Sequence, residues 1–159
     1  MSDSPANLIG GEWRASASGK TYDKRNPARP SEVVGEFPLS DESDADAAVA
    51  AAAAAFPAWS ALPAPQRAAF LVKAAAAMEG RVEGIAQDMT REMGKPLREA
   101  RGEAGRGAAI LRYFAGEAYR PFGEVFQQSL TAGRVFTVRR PVGVVALITP
   151  WNFPAAIPL

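Results

Sequence analysis

Apolar and polar positions change period several times along this 159-residue chain, and each change marks an element. Leu8-Ile9-Gly10-Gly11-Glu12-Trp13 reads as a hairpin, because a Gly-Gly pair suits a two-residue primed turn. A second extended stretch covers residues 21–26, a turn follows around Pro27 to Ser31, and residues 33–37 extend again. From Ser40 the pattern becomes helical. Ser43 is the expected N-cap, with Asp46 three residues on and Asp41, Glu42 and Asp44 favouring the positive end of the helix dipole. Alanines carry this helix to Phe56, where Pro57 is expected to stop it. Val49, Phe56 and Trp59 would anchor it in a tight pack.

Pro63 or Pro65 opens the next helix, which reaches about Met78 with Phe70, Leu71, Ala74, Ala77 and Met78 as its buried stripe. Gly80 ends it. Residues 81–93 form a third helix, with Val82, Ile85, Ala86, Met89 and Met93 on one side. Gly94 then serves as C′ residue and Pro96 as first residue of a fourth helix reaching about Tyr119. Ile110, Leu111, Tyr113 and Phe114 would form its apolar face. Gly102, Gly105 and Gly107 each cost about 1 kcal/mol against alanine inside a helix, so close approach of another backbone is expected there. They do not make a phosphate loop, having neither a preceding strand nor a lysine-serine ending.

Residues 121–133 show no period and read as a connector. Residues 134–140 alternate as a strand, with Arg139-Arg140 open as an anion site or as a solvated or interface pair. Pro141 marks an edge or bend. Residues 142–148 then read as a strand entering a buried sheet. That run stops at Pro150 and Pro154, which bracket Trp151, Asn152 and Phe153 in a loop of fixed shape. Strand ends of open α/β sheets are where such folds place ligands.

Composition narrows the chemistry. The chain has no cysteine and no histidine, which removes disulfides, thiolate or imidazole metal sites, a cysteine nucleophile and a histidine base. A formal charge of +1 gives no reason to expect nucleic acid or an anionic membrane as partner. The polar start, Met1 to Asn7, lacks a leader's apolar core, and no stretch reads as a membrane span. A cytoplasmic protein is expected. The Asn152 carboxamide has two readings from the residue alone: it closes the turn, or its NH₂ donates to an oxyanion without titrating.

Ile148-Thr149-Pro150-Trp151-Asn152-Phe153-Pro154 resembles the strand-to-loop segment of the NAD(P)-dependent aldehyde dehydrogenase superfamily. Phe136-Thr137-Val138-Arg139-Arg140-Pro141-Val142-Gly143-Val144-Val145, Glu92-Met93-Gly94-Lys95-Pro96 and Asn26-Pro27-Ala28 extend the resemblance upstream in the family's order. It implies an α/β fold in four parts: an N-terminal ribbon (1–40), a helical layer (41–120), a connector and oligomerisation-type ribbon (121–145), and the first strand and active-site loop of a Rossmann-like sheet (146–159). It implies Asn152 as a catalytic oxyanion donor, and Ile148, Thr149, Pro150, Trp151 and Asn152 as part of an NAD or NADP site.

It further implies a small-molecule aldehyde substrate and a homodimer or homotetramer, with the nucleophilic cysteine and the glutamate base lying beyond Leu159. The 159 residues alone are therefore expected to be a piece of a longer chain, inactive by itself. Residues 148–159 with Gly133-Arg134-Val135-Phe136 look most like the semialdehyde branch, including 2-oxoglutarate semialdehyde enzymes. The competing expectations are a non-catalytic assembly module of the same fold and a free-standing helical interaction protein.

Overall fold

The computed structural model describes residues 6–127 and 132–159. Its elements are three two-stranded antiparallel ribbons, four α-helices and a short 3-10 helix, Glu117–Tyr119. The first ribbon pairs β1 (Asn7–Ile9) with β2 (Glu12–Arg14). Gly10 and Gly11 turn it at φ 61° and 84°, as a primed turn requires. The second pairs β3 (Thr21–Asn26) with β4 (Arg29–Pro38) and is bulged near its tip. The turn there is shorter than expected, because the Asn26 side chain accepts the Ala28 N–H at 2.9 Å and closes it.

Helix α1 (Glu42–Ala61) is capped by Asp41, not Ser43: Asp41 and Asp44 form a reciprocal capping box. The helix also continues through Pro57. A proline removes one donor and crowds the preceding turn, but α1 absorbs this one and ends at Leu62, whose N–H bonds Trp59 O at 3.3 Å. The expected tight packing is absent. Asp44 is its one buried residue, and Val49 and Trp59 are 56% and 45% exposed. Alanine offers little area with which to hold a neighbour.

Helix α4 (Leu97–Gly116) is the centre of the helical layer and packs on both α2 (Ala64–Glu79) and α3 (Val82–Met93). On α2 the buried positions are Ala68 and Ala75, with Leu71 and Met78 partly buried; Phe70, Ala74 and Ala77 are exposed. The stripe on α3 runs through Val82, Ile85, Ala86, Met89 and Met93 as read from the sequence. On α4 the buried line is Ala100, Glu103, Ala104, Gly107, Ala108, Leu111 and Ala115, whereas Tyr113 and Phe114 are exposed. Small residues on this line let the helices sit close.

A Cβ at Gly107 would lie 2.5 Å from Met78 Cε, so the expected crowding is found there, against a side chain instead of a backbone. Gly102 and Gly105 face open space. Gly94 ends α3 at φ 81°, and a Cβ there would reach 3.1 Å from Pro27 Cγ. The tip of the second ribbon thus rests on the α3–α4 corner. Arg91 adds an ion pair to Glu32 at 3.0 Å, and Asn26 donates to the same carboxylate.

The stretch read as a connector contains β5 (Val125–Gln127), which pairs with β6 (Arg134–Phe136). Three residues are too few to show a period. The extended stretch expected to run to Arg140 is a ladder only as far as Phe136, with single backbone bonds from Thr137 to Glu124 and from Arg139 to Phe122 beyond it. Residues 142–148 form no strand. A strand exists only as a ladder with at least one neighbour, and none of the described residues lies beside it as a partner. Val142 is 90% exposed and Ile148 97%.

Candidate functional site

After residue 148 the chain returns to the helical layer, and one buried ion pair fixes where. Glu103 lies in the apolar line of α4 with its side chain 1% exposed; Lys95, in the α3–α4 corner, is 9% exposed. Lys95 Nζ donates to the Glu103 carboxylate and, at 2.6 Å, to the main-chain oxygen of Asn152. The same ammonium stands 4.0 Å from the centroid of the Phe153 ring. The other Glu103 oxygen accepts the N–H groups of Ala155 at 2.9 Å and Ala156 at 3.1 Å. Ala155 packs beside Ala86, Met89, Ala100 and Ala104.

Burial pushes the Glu103 carboxyl up. The Lys95 hydrogen bond and the two backbone N–H groups outweigh that effect, and the group rests below its ordinary value of 4.5. A carboxylate with three charge-assisted bonds is well satisfied for a buried group. The loop holding Asn152 is therefore clamped from both sides, by a cation on its carbonyl and an anion on the N–H groups that follow.

The clamp borders a cleft of about 690 Å³ lined by Met93 to Pro96, Glu99, Gly102, Glu103, Arg106 and Trp151 to Phe153. Asn152 is exposed there. Its main-chain oxygen is committed to Lys95, while its carboxamide makes no hydrogen bond to any described residue. Trp151 lines the same cleft and is 75% exposed. Ile148, Thr149 and Pro150 lie outside that lining; Ile148 and Pro150 are exposed and Thr149 is half-buried. The described residues hold no cluster of acids suited to a metal ion.

A family model described as the aldehyde dehydrogenase family matches residues 13–159 of the sequence. The chain belongs to that family. Its similarity to alpha-ketoglutaric semialdehyde dehydrogenase of Bacillus subtilis is 48% identity over 153 residues, 96% of this chain and 31% of the relative. With alpha-ketoglutarate semialdehyde dehydrogenase of Haloferax volcanii it shares 42% identity over 158 residues, 99% of this chain and 33% of the relative. The crystal structure of an NADP-dependent enzyme from E. coli superposes with a TM-score of 0.92 at 38% identity, covering 97% of this chain and 32% of that one. This chain thus spans about a third of the length of these aldehyde dehydrogenase relatives, and its α/β class is that of the superposed fold.

Lys95 and Glu103 are the site residues that the sequence reading did not assign. Lys95 is named only within a motif, and Glu103 is not singled out by the sequence pattern. A signal existed: Glu103 falls between Ala100, Ala104 and Gly107, inside the line of small residues that a helix must bury. An acid at such a position needs a buried cation, and Lys95 is eight residues away at the helix corner.

Proposed function

We propose that the complete protein is an NAD(P)-dependent aldehyde dehydrogenase acting on a semialdehyde, with Asn152 as side-chain oxyanion donor. The observation that carries this reading is the clamped loop: its backbone is pinned by Lys95 and Glu103 while the carboxamide is left unengaged at a cleft. A donor held in advance costs no reorganisation when charge develops on a reacting carbonyl, and removing one typically costs about 2.7–4 kcal/mol of transition-state stabilisation. Its neighbour in that role would be the backbone N–H of a cysteine, which this chain lacks.

Residues 146–154 carry no charged side chain, belong to no ladder and leave Ile148 and Trp151 exposed. That surface suits the ring and ribose of a dinucleotide and offers no cationic side chain for its phosphates. Ile148, Thr149, Pro150, Trp151 and Asn152 would line that part of the site. Bound NAD or NADP supplies the hydride acceptor.

The names of the relatives support a substrate of the 2-oxoglutarate semialdehyde kind. They do not favour the alternative of a non-catalytic assembly module. We also assign the complete enzyme to the cytoplasm and to a homodimer or homotetramer. In support, no single helix among the described residues is long and apolar enough to cross a membrane. The β5–β6 ribbon leaves Val125 and Phe136 70% and 66% exposed, as an assembly edge would. The test is steady-state kinetics of the complete enzyme. Asn152→Ala should lower kcat by about 10²–10³-fold with little change in cofactor affinity. Near-normal turnover would remove Asn152 from catalysis.

A further inference from the structure

A second groove lies away from the Asn152 loop and shares no lining residue with the cleft there. It consists of two cavities of about 320 and 650 Å³ that have Trp59, Ala64, Arg67, Phe122 and Arg139 in common. Its walls are the end of α1, the start of α2, the short helix Glu117–Tyr119, and the two stretches that lead into and out of the β5–β6 ribbon. The Arg139 N–H donates to Phe122 O at 3.1 Å and ties those two stretches together at the groove.

Charge in this groove is one-sided. The charged residues lining it are Arg67, Glu117, Arg120, Arg139 and Arg140. Glu117 is engaged by Arg120 at 3.0 Å. Arg67 is half-buried and donates to Leu62 O. Neither it nor Arg139 nor Arg140 has a carboxylate partner among the described residues, whereas Arg101 and Arg112 on α4 each hold a glutamate. Three guanidinium groups thus stand in one groove of a chain whose whole formal charge is +1.

Aromatic surface lines the same groove. Trp59 and Phe122 are 45% and 58% exposed, and Trp59 is braced by Phe70, ring centroids 5.5 Å apart. An exposed indole and phenyl beside guanidinium groups without carboxylates match a ligand with a flat apolar body and an anionic end. A mostly apolar cleft of several hundred Å³ with a few placed polar groups is the usual form of a small-molecule site. We propose that this groove binds an aromatic carboxylate, its ring on Trp59 and Phe122 and its carboxylate on Arg139 and Arg67. Arg140 adds positive field at the open end. Of the two roles the sequence allows Arg139-Arg140, this is the anion site.

The test is calorimetric titration of the complete enzyme with 2-naphthoate as probe and 2-naphthalenemethanol as its uncharged counterpart. 2-Naphthoate should bind with a Kd below about 1 mM, and the alcohol about tenfold more weakly. Arg139→Met should weaken 2-naphthoate about tenfold and leave the alcohol within about twofold. Arg139→Lys should recover only part, since an ammonium lacks the fork. Trp59→Leu should weaken both probes. Semialdehyde turnover should stay within about twofold in Arg139→Met, because the groove contributes nothing to the Asn152 cleft.

Equal binding of acid and alcohol would overturn the proposal, as would 2-naphthoate binding unchanged by both Arg139→Met and Trp59→Leu. Displacement of the probe by NAD would put it at the cofactor site and overturn it too. So would absence of binding, the outcome if another part of the polypeptide or a second copy fills the groove.

Discussion

Replacing Glu103 by alanine isolates the clamp on the Asn152 loop. The carboxylate is 1% exposed, and its loss strands the Lys95 ammonium, 9% exposed, with only the Asn152 carbonyl and the Phe153 ring for company. It also orphans the N–H groups of Ala155 and Ala156. Breaking a buried pair from one side costs about 3–5 kcal/mol, and an unsatisfied buried donor about 1–3 kcal/mol. These overlap, so a local loss of about 3–5 kcal/mol is expected.

Amide hydrogen exchange reads that loss directly. The Ala155 and Ala156 amides should lose roughly 10²–10³-fold in protection, at about 1.4 kcal/mol per tenfold. Glu103→Gln keeps an oxygen for the two N–H groups and should lose less. The charge-free pair Lys95→Met with Glu103→Leu should recover part of the global stability, because no buried charge is left alone, yet should leave both amides exchanging fast. Protection within about threefold of the parent in Glu103→Ala would refute the reasoning, because the loop would then be held by something other than this pair.

Three further outcomes follow from the same structure. The Glu103 carboxyl titrates below its ordinary 4.5 in the folded chain, so the clamp contributes fully above about pH 4.5 and is lost as pH falls through the lowered value; exchange at Ala155 and Ala156 followed from pH 7 to pH 3 should accelerate beyond the intrinsic trend only in the acid part. On α4, Gly105→Ala meets open space and should stabilise by up to about 1 kcal/mol. Gly107→Leu instead drives into Met78 and Leu159 and should cost about 1–3 kcal/mol, both read from denaturation midpoints.

The sequence carried most of the local structure, because each local element is written in few residues. Gly10-Gly11 specified a turn, Gly94 a left-handed helix end, and the apolar spacing of α3 its buried side. What failed was whatever depends on partners. Residues 142–148 have a strand's composition, but a strand is a relation between two segments, and no second one is present among the described residues. Alanines of α1 promised packing that side chains so small cannot enforce. Asp41 displaced Ser43 as cap because its carboxylate could exchange bonds with Asp44, a choice that composition leaves open.

At the site, Trp151, Asn152 and Phe153 were legible as a proline-bracketed loop, and the structure brings them to one cleft. The Lys95–Glu103 clamp was not, because charges on an amphipathic helix read as solvated until burial is known.

The most direct test of the account is a kcat comparison of Glu103→Gln, Asn152→Ala and the double variant in the complete enzyme. If Glu103 acts by holding the Asn152 donor in place, the double variant should be no slower than Asn152→Ala alone, because the donor it positions is already gone. Losses that multiply would show that the ion pair and the carboxamide act independently, and would contradict the claim that the clamp exists to present Asn152.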